Sequence, residues 1–113
     1  MLDINKNVVA ELEKILPTHY ELFCDNKTTL PCITYREQDN RDRERAESFG
    51  YSEISLYVKV WGYIYKDIES YALQVADVMR EMGFERVSTN DLIVENQICK
   101  VMLYRARGLE NYT

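Results

Sequence analysis

The sequence has few of the residues from which catalytic and metal sites are usually built. It has one histidine, His19, and its three cysteines do not have the C-x-x-C spacing of a metal or redox pair. Its four scattered glycines form no loop of the kind that cradles a phosphate, and the GxSxG motif of serine hydrolases is missing. We therefore expect no enzymatic activity, no metal and no cofactor.

An excess of positive charge and a long apolar run are also missing. The 14 lysines and arginines are outnumbered by 19 acids, and a net charge of −5 argues against general nucleic-acid binding. No apolar run approaches the roughly 20 residues of a membrane-spanning helix, and the first residues do not resemble a signal peptide. The sequence thus predicts a protein that acts on neither nucleic acids nor membranes.

The odd number of cysteines, without C-x-x-C spacing, favours reduced thiols in a cytoplasmic setting over a disulfide framework. Cys24, Cys32 and Cys99 each lie in a predicted strand, where thiols are usually buried and unreactive. A nucleophile formed by His19 and one of these cysteines is therefore disfavoured.

The most regular pattern in the chain is a two-residue alternation over residues 51–62, YSEISLYVKVWG. Side chains alternate between the faces of a strand, so this pattern predicts a strand with one buried face. The apolar positions of that face are Ile54, Leu56, Val58 and Val60. On the other face, Tyr57 and Trp61 flank Lys59. Large amphipathic rings beside a charge suit a protein partner better than they suit water, although a partly exposed aromatic face on a monomer is the alternative.

Helical spacing of apolar residues predicts two helices, over residues 3–16 and 65–82. Asp3 is a suitable N-cap for the first helix, and Pro17 ends it. Gly83 is a natural C′ residue after the second helix. The apolar stripe of the second helix consists of Ile68, Tyr71, Ala72, Val75, Val78, Met79 and Met82.

The rest of the chain predicts further strands, over residues 20–24, 30–37, 84–88, 92–94 and 98–106, with a turn at 89–91. The last strand, ICKVMLYRA, is almost continuously apolar, which indicates cover on both faces, either within the chain or by a partner. The element order is α-β-β-β-α-β-β with short connections. It predicts a single α+β domain with a mixed or mainly antiparallel sheet of four to five strands and two helices packed on one face.

Residues 38–50 contain a run of charges of both signs, with Arg41, Arg43 and Arg45 interleaved with acids. Two interpretations are open, a solvated hairpin loop and a mobile arm that becomes ordered against a partner. The interleaved acids exclude a basic nucleic-acid patch. Residues 108–113 are expected to form a frayed tail.

Several stretches of the sequence together resemble those of one family of phage proteins. They are LPCITYRE at 30–37, the charged loop, GYSEISLYVKVWG at 50–62, the amphipathic helix that follows, and GFERVSTNDL at 83–92. Over about residues 17–107 the chain resembles the small tail-terminator, or tail-completion, proteins. These are encoded in the head-to-tail module of long-tailed bacteriophages and prophages of Gram-positive hosts. A head-closure or adaptor protein of the same module is the alternative, and a small-molecule-binding protein or enzyme is a distant one.

The resemblance implies a subunit that assembles as a ring, commonly a hexamer, on the head-proximal end of a phage tail tube. The ring stops tube polymerisation and joins the tail to the head. The implied partners are further copies of the chain, the tail tube protein and the head connector or head-closure protein. The implied location is the host bacterial cytoplasm during assembly and then the tail of the virion.

Exposure, and not the resemblance, suggests which residues would make these contacts. The expected subunit contacts are Tyr57, Lys59 and Trp61, together with Tyr104 and Arg105 at the edge of the last strand. The loop with Arg41, Arg43 and Arg45 would order on tube or connector protein.

Overall fold

Two helices cover one face of a five-stranded sheet in the computed structural model, which describes residues 4–20, 30–37 and 53–107. The elements in chain order are α1 (Ile4–Leu12), β1 (Thr18–Tyr20), β2 (Cys32–Glu37), β3 (Glu53–Gly62), α2 (Tyr65–Glu81), β4 (Glu85–Val94) and β5 (Gln97–Arg107). This is the predicted order of helices and strands, and the expected α+β fold is confirmed.

The strands lie in the order β1-β2-β3-β5-β4. β1 is parallel to β2, and every other neighbouring pair is antiparallel, so the sheet is mixed as predicted. β3 is central, with β2 on one side and β5 on the other. β5 in turn separates β3 from β4, and β4 is the edge strand on that side of the described sheet.

The alternation in β3 forms the predicted core face. Leu56, Val58 and Val60 have no exposed surface and belong to one cluster with residues of both helices. The buried residues of α2 all come from the predicted stripe: Ile68, Ala72, Val75 and Met79. Removing such a side chain from water stabilises the fold by roughly 1.5–3 kcal/mol, so this layer provides much of the driving force for folding.

The end of α2 follows the predicted glycine signal. Gly83 has a φ of 91°, a conformation in which a side chain is strained. Its N–H donates to Arg80 O over 3.0 Å, and the N–H of Phe84 donates to Met79 O over 2.9 Å. These two bonds form a Schellman motif, and the buried Phe84 provides the apolar contact that often accompanies it.

Some predicted boundaries at the N-terminal end are wrong. α1 ends at Leu12, and a turn follows in which the N–H groups of Ile15 and Leu16 both donate to Leu12 O. The residue before a proline avoids the helical conformation, so Pro17 excludes Leu16 from the helix, and residues 13–15 between the helix and Leu16 form the turn. β1 begins at Thr18, two residues before the expected start of the strand predicted over 20–24, and residues 21–24 lie outside the described residues.

A larger error concerns β4, where the predicted turn at residues 89–91 does not exist. The strand continues through these residues to Val94, and the hairpin turn follows at Glu95, which has a φ of 57°. The sequence Ser-Thr-Asn-Asp is typical of a turn. In β4 it is accommodated because all ten residues are exposed at the sheet edge, where polar side chains remain in water while the backbone pairs with β5.

β5 is covered on both faces, as its apolar sequence predicts. Its buried residues are Cys99, Lys100, Met102, Leu103, Tyr104 and Ala106. Several predictions lie outside the described residues: the Asp3 cap, Cys24, the 38–50 loop with Arg41, Arg43 and Arg45, and the 108–113 tail.

Candidate interaction surfaces

The sheet face that points away from both helices carries the residues expected to meet a partner. Tyr57, Lys59 and Trp61 alternate with the core residues of β3, and each is half-exposed. Residues directly opposite in neighbouring strands share a face, which places Arg36 and Arg105 on the same side. We call the following residues the open face: Arg36, Ser55, Tyr57, Lys59, Trp61, Val101 and Arg105. Other residues on the same side of the sheet are buried: Cys32, Thr34, Cys99 and Leu103.

Contacts within the open face hold its rings in place. The indole N–H of Trp61 donates to Thr34 Oγ1 over 2.9 Å, which ties β3 to β2. The guanidinium carbon of Arg36 lies 5.6 Å from the centre of the Tyr57 ring, within the range of a cation–π interaction. Cys32 and Cys99 lie opposite Trp61 in the two neighbouring strands, and both are buried and outside any disulfide, as expected.

The expectation that Tyr104 offers an edge to a partner is wrong. β5 lies between β3 and β4, so it is not at an edge of the sheet. Tyr104 is opposite Leu56 on the helix side and is almost fully buried, with its hydroxyl donating to Met102 Sδ over 3.4 Å. Burial raises the pKa of the Tyr104 hydroxyl. Arg105 lies opposite Ser55 on the open face and is half-buried.

A second surface, which the sequence did not predict, lies at the end of the sheet near the β4–β5 turn. There Gly62 is opposite Ile98, and Ile98 is opposite Ile93. Large apolar side chains are exposed at this end, with exposed fractions from 44% to 79%. We call them the hairpin-end surface: Tyr63, Ile64, Leu92, Ile93 and Val94.

The sequence contains these five residues in two separate stretches, and neither has a pattern that marks it as exposed. Tyr63 and Ile64 follow directly after the buried strand β3. Residues 92–94 were expected to be a short extended piece of their own. Only the pairing of β4 with β5, and of β5 with β3, brings the two stretches to one end of the sheet.

A charged cluster lies beside the hairpin-end surface and joins α2 to the hairpin. Lys100 Nζ is 2.8 Å from Glu69 Oε1 and 2.8 Å from Asp91 Oδ1. The Tyr65 hydroxyl donates to Asp91 Oδ2 over 3.1 Å. Lys100 is buried on the helix side of β5, and its two carboxylate partners compensate for the loss of water around the ammonium group.

The titration of this cluster follows from its hydrogen bonds. Burial alone would lower the pKa of Lys100, but the bonds to Asp91 and Glu69 outweigh it and the pKa is raised. The same bonds from Lys100 lower the pKa of Glu69 and of Asp91. Hydrogen bonding to Glu69 and Asp91 raises the pKa of Tyr65 to about 12. All four groups therefore keep their usual charge at neutral pH, as expected of a structural ion-pair cluster.

Over residues 4–20, 30–37 and 53–107, no three histidine, cysteine, aspartate or glutamate side chains are placed to hold a metal ion. No helix within these ranges is long and apolar enough to cross a membrane. The sequence matches no model of a known protein family and no curated protein. The two surfaces are therefore the features from which a function can be argued.

Proposed function

We propose that the protein is a structural subunit of phage assembly that caps the head-proximal end of a tail tube as a ring of identical copies. The observation that carries the proposal is the open face, where Tyr57, Lys59 and Trp61 are half-exposed opposite both helices. Aromatic rings and arginine are enriched where proteins meet each other. Exposed apolar side chains, which commonly mark such contacts, lie at the adjoining hairpin end.

The specific role in tail assembly rests on the sequence resemblance, and the fold is compatible with it. The resemblance implies a compact α+β subunit, and the chain has two helices on one face of a mixed sheet. Such a ring stops polymerisation of the tube protein by occupying its growing end. Its outer surface then meets the head connector or a head-closure protein.

A ring requires contacts between two different surfaces of each copy. Contacts of this heterologous type close into a ring when the rotation between neighbours completes a circle. In the described part of the chain the hairpin-end surface adjoins the open face, because Leu92 lies opposite Cys99 and Cys99 lies opposite Trp61 on the same side of the sheet. The proposal assigns contacts between copies to this combined surface.

Gene deletion in the phage tests the role. A missing tail terminator gives overlong or unjoined tails, whereas a missing head-closure protein gives leaking heads beside tails of normal length. Complementation with Lys59→Glu should fail to restore tail length, because the substitution reverses a charge at the centre of the open face. Gln74→Glu, which adds a negative charge on the exposed side of α2, is the control and should restore it. Leaking heads with normal tails in the deletion would contradict the proposal.

A further inference from the structure

We infer that the outer edge of β4 pairs with β4 of a second copy, antiparallel and about a twofold axis at Asn90, so that two five-stranded sheets become one. This contact goes beyond the proposed function, because a twofold contact closes with two copies and joins free subunits independently of a ring. It uses the backbone edge of the sheet, whereas the contacts proposed within the ring use the combined surface.

β4 forms a long exposed edge. It is the last strand of the described sheet on this side, and all ten of its side chains are exposed. The outward N–H and C=O groups of an edge strand are a template for a further strand, and proteins usually protect such edges with short strands, lysine or proline. The sequence of β4, ERVSTNDLIV, contains neither lysine nor proline. The edge is therefore suited to accept another strand.

The sequence of β4 selects the register of this pairing. Residues directly opposite in an antiparallel pair share a face, so a twofold axis places one residue opposite its own copy. An axis at Asp91 would set two carboxylates against each other, and axes further along the strand would shorten the contact. An axis at Asn90 pairs the regular run 88–92 with itself and leaves the register shift after Arg86 outside it. An axis at Thr89 would move that shift towards the centre.

Apolar cover is gained at both ends of the contact. The register places Arg86 of one copy opposite Ile93 of the other, and both side chains lie on the helix side of the sheet. Ile93 is 79% exposed in the single chain. The aliphatic stem of an arginine covers apolar surface while its charged head stays in water. Because the twofold axis repeats this pair, both exposed isoleucines are covered.

Opposite charges meet in the same register. Asp91 of the second copy is the diagonal neighbour of Arg86, at a spacing of about 7–8 Å that a long side chain bridges. Asp91 already bonds to Lys100 and Tyr65, and a carboxylate has further lone pairs for a guanidinium. The axis gives two such pairs. A second copy of this chain is therefore the occupant that matches the edge in length and in charge.

Cysteine cross-linking tests the position of the axis. In a Cys24→Ser background, Asn90→Cys places one new thiol opposite its own copy, within reach of a disulfide. Mild oxidation should then give a linked species of twice the monomer mass of 13.4 kDa, while Cys32 and Cys99 stay buried. Leu73→Cys is the matched control, because Leu73 is 66% exposed on α2 and lies away from the β4 edge. It should remain at the monomer mass on a denaturing gel.

A charge at the edge tests the pairing without a new cysteine. Ile93→Lys sets a lysine opposite Arg86 at both ends of the contact, and like charges directly opposite each other are destabilising. The dimer should then form only at concentrations at least about tenfold higher than for the wild type. The variant should keep its fold, checked by circular dichroism, because Ile93 is exposed in the single chain. Leu73→Lys should dimerise like the wild type in native mass spectrometry.

The outcomes separate this contact from the proposed function. If Asn90→Cys cross-links no better than Leu73→Cys, or if Ile93→Lys dimerises like the wild type, edge pairing is wrong. Dimers that are absent while Ile93→Lys weakens binding of tube protein would identify that protein as the occupant and likewise overturn edge pairing. A ring that forms on tube protein without the cross-link overturns edge pairing alone. A cross-linked dimer that never forms a ring supports edge pairing and contradicts the proposed function.

Discussion

Trp61 donates its indole N–H to the hydroxyl of Thr34 over 2.9 Å and thereby links the two neighbouring strands β3 and β2. The bond fixes the largest ring of the open face before any partner arrives. A side chain that is already ordered loses little entropy on binding, which would favour the contact between copies that we propose.

We expect this hydrogen bond to contribute about 1 kcal/mol to the free energy of unfolding. Thr34→Val and Trp61→Phe each remove one partner, and the double variant removes both. Urea denaturation of the four proteins gives the coupling energy of the pair by a double-mutant cycle. A coupling energy of zero would show that the bond does not tie the two strands. Thr89→Val on the exposed strand β4 is the control and should change stability by less than about 0.5 kcal/mol.

Gly83→Ala should destabilise the protein by about 1 kcal/mol or more, because a side chain is strained at a φ of 91°. As the control, Ser70→Ala introduces alanine at an exposed position within α2 and should be neutral or slightly stabilising. Thermal denaturation of both variants measures the difference. Equal melting temperatures for the two variants would mean that the Schellman motif adds nothing to stability.

The cluster around Lys100 predicts a specific pH dependence of stability. The pKa values of Glu69 and Asp91 are lowered in the folded chain because Lys100 donates to both. Their contribution to stability is therefore complete above the pKa values of the unfolded chain, near pH 4, and is lost as the pH falls through the lower folded values. The raised pKa of Lys100 acts in the opposite sense, and its contribution is lost only above about pH 10.

Lys100→Met removes the cause of these shifts. The stability deficit of the variant should be largest near neutral pH and should shrink as the pH is lowered from about 5 to about 2. Urea midpoints measured across that range give the deficit at each pH. Lys14→Met removes a comparable pair with Glu11 that lies in solvent, and it should change stability by less than about 0.5 kcal/mol at any pH. A Lys100→Met deficit that is independent of pH would contradict the cluster as described.

Cys32 and Cys99 should react slowly with an alkylating reagent in the folded protein, because both are buried in the sheet. A Cys24→Ser variant leaves these two thiols as the only ones and makes the measurement unambiguous. Alkylation followed by mass spectrometry should show rapid reaction only after urea is added. Fast modification of either thiol in the native protein would reopen the case for a reactive cysteine.

Local sequence patterns correctly predicted those elements whose residue types depend only on burial on one face or on backbone conformation. The alternation in β3 and the stripe of α2 are set by burial on one face, and Gly83 is set by backbone conformation; all three agree with the structure. Strand order is different, because it depends on pairing between distant residues. Tyr104 was therefore placed at an edge that β4 in fact occupies.

The hairpin-end surface could not be predicted for the same reason. The polar residues 88–91 resemble a turn, and dividing β4 at that point separated residues 92–94 from the rest of the sheet. In the structure β4 is one continuous strand of ten residues, and its pairing with β5 brings Ile93 to the same end of the sheet as Tyr63 and Ile64.

The central claim, a ring that caps a tail tube, is tested most directly by native mass measurement of the protein with and without the tail tube protein. The account predicts a closed oligomer whose mass is a multiple of 13.4 kDa and which binds the tube protein. A mass of 13.4 kDa at every concentration, unchanged by the tube protein, would contradict it.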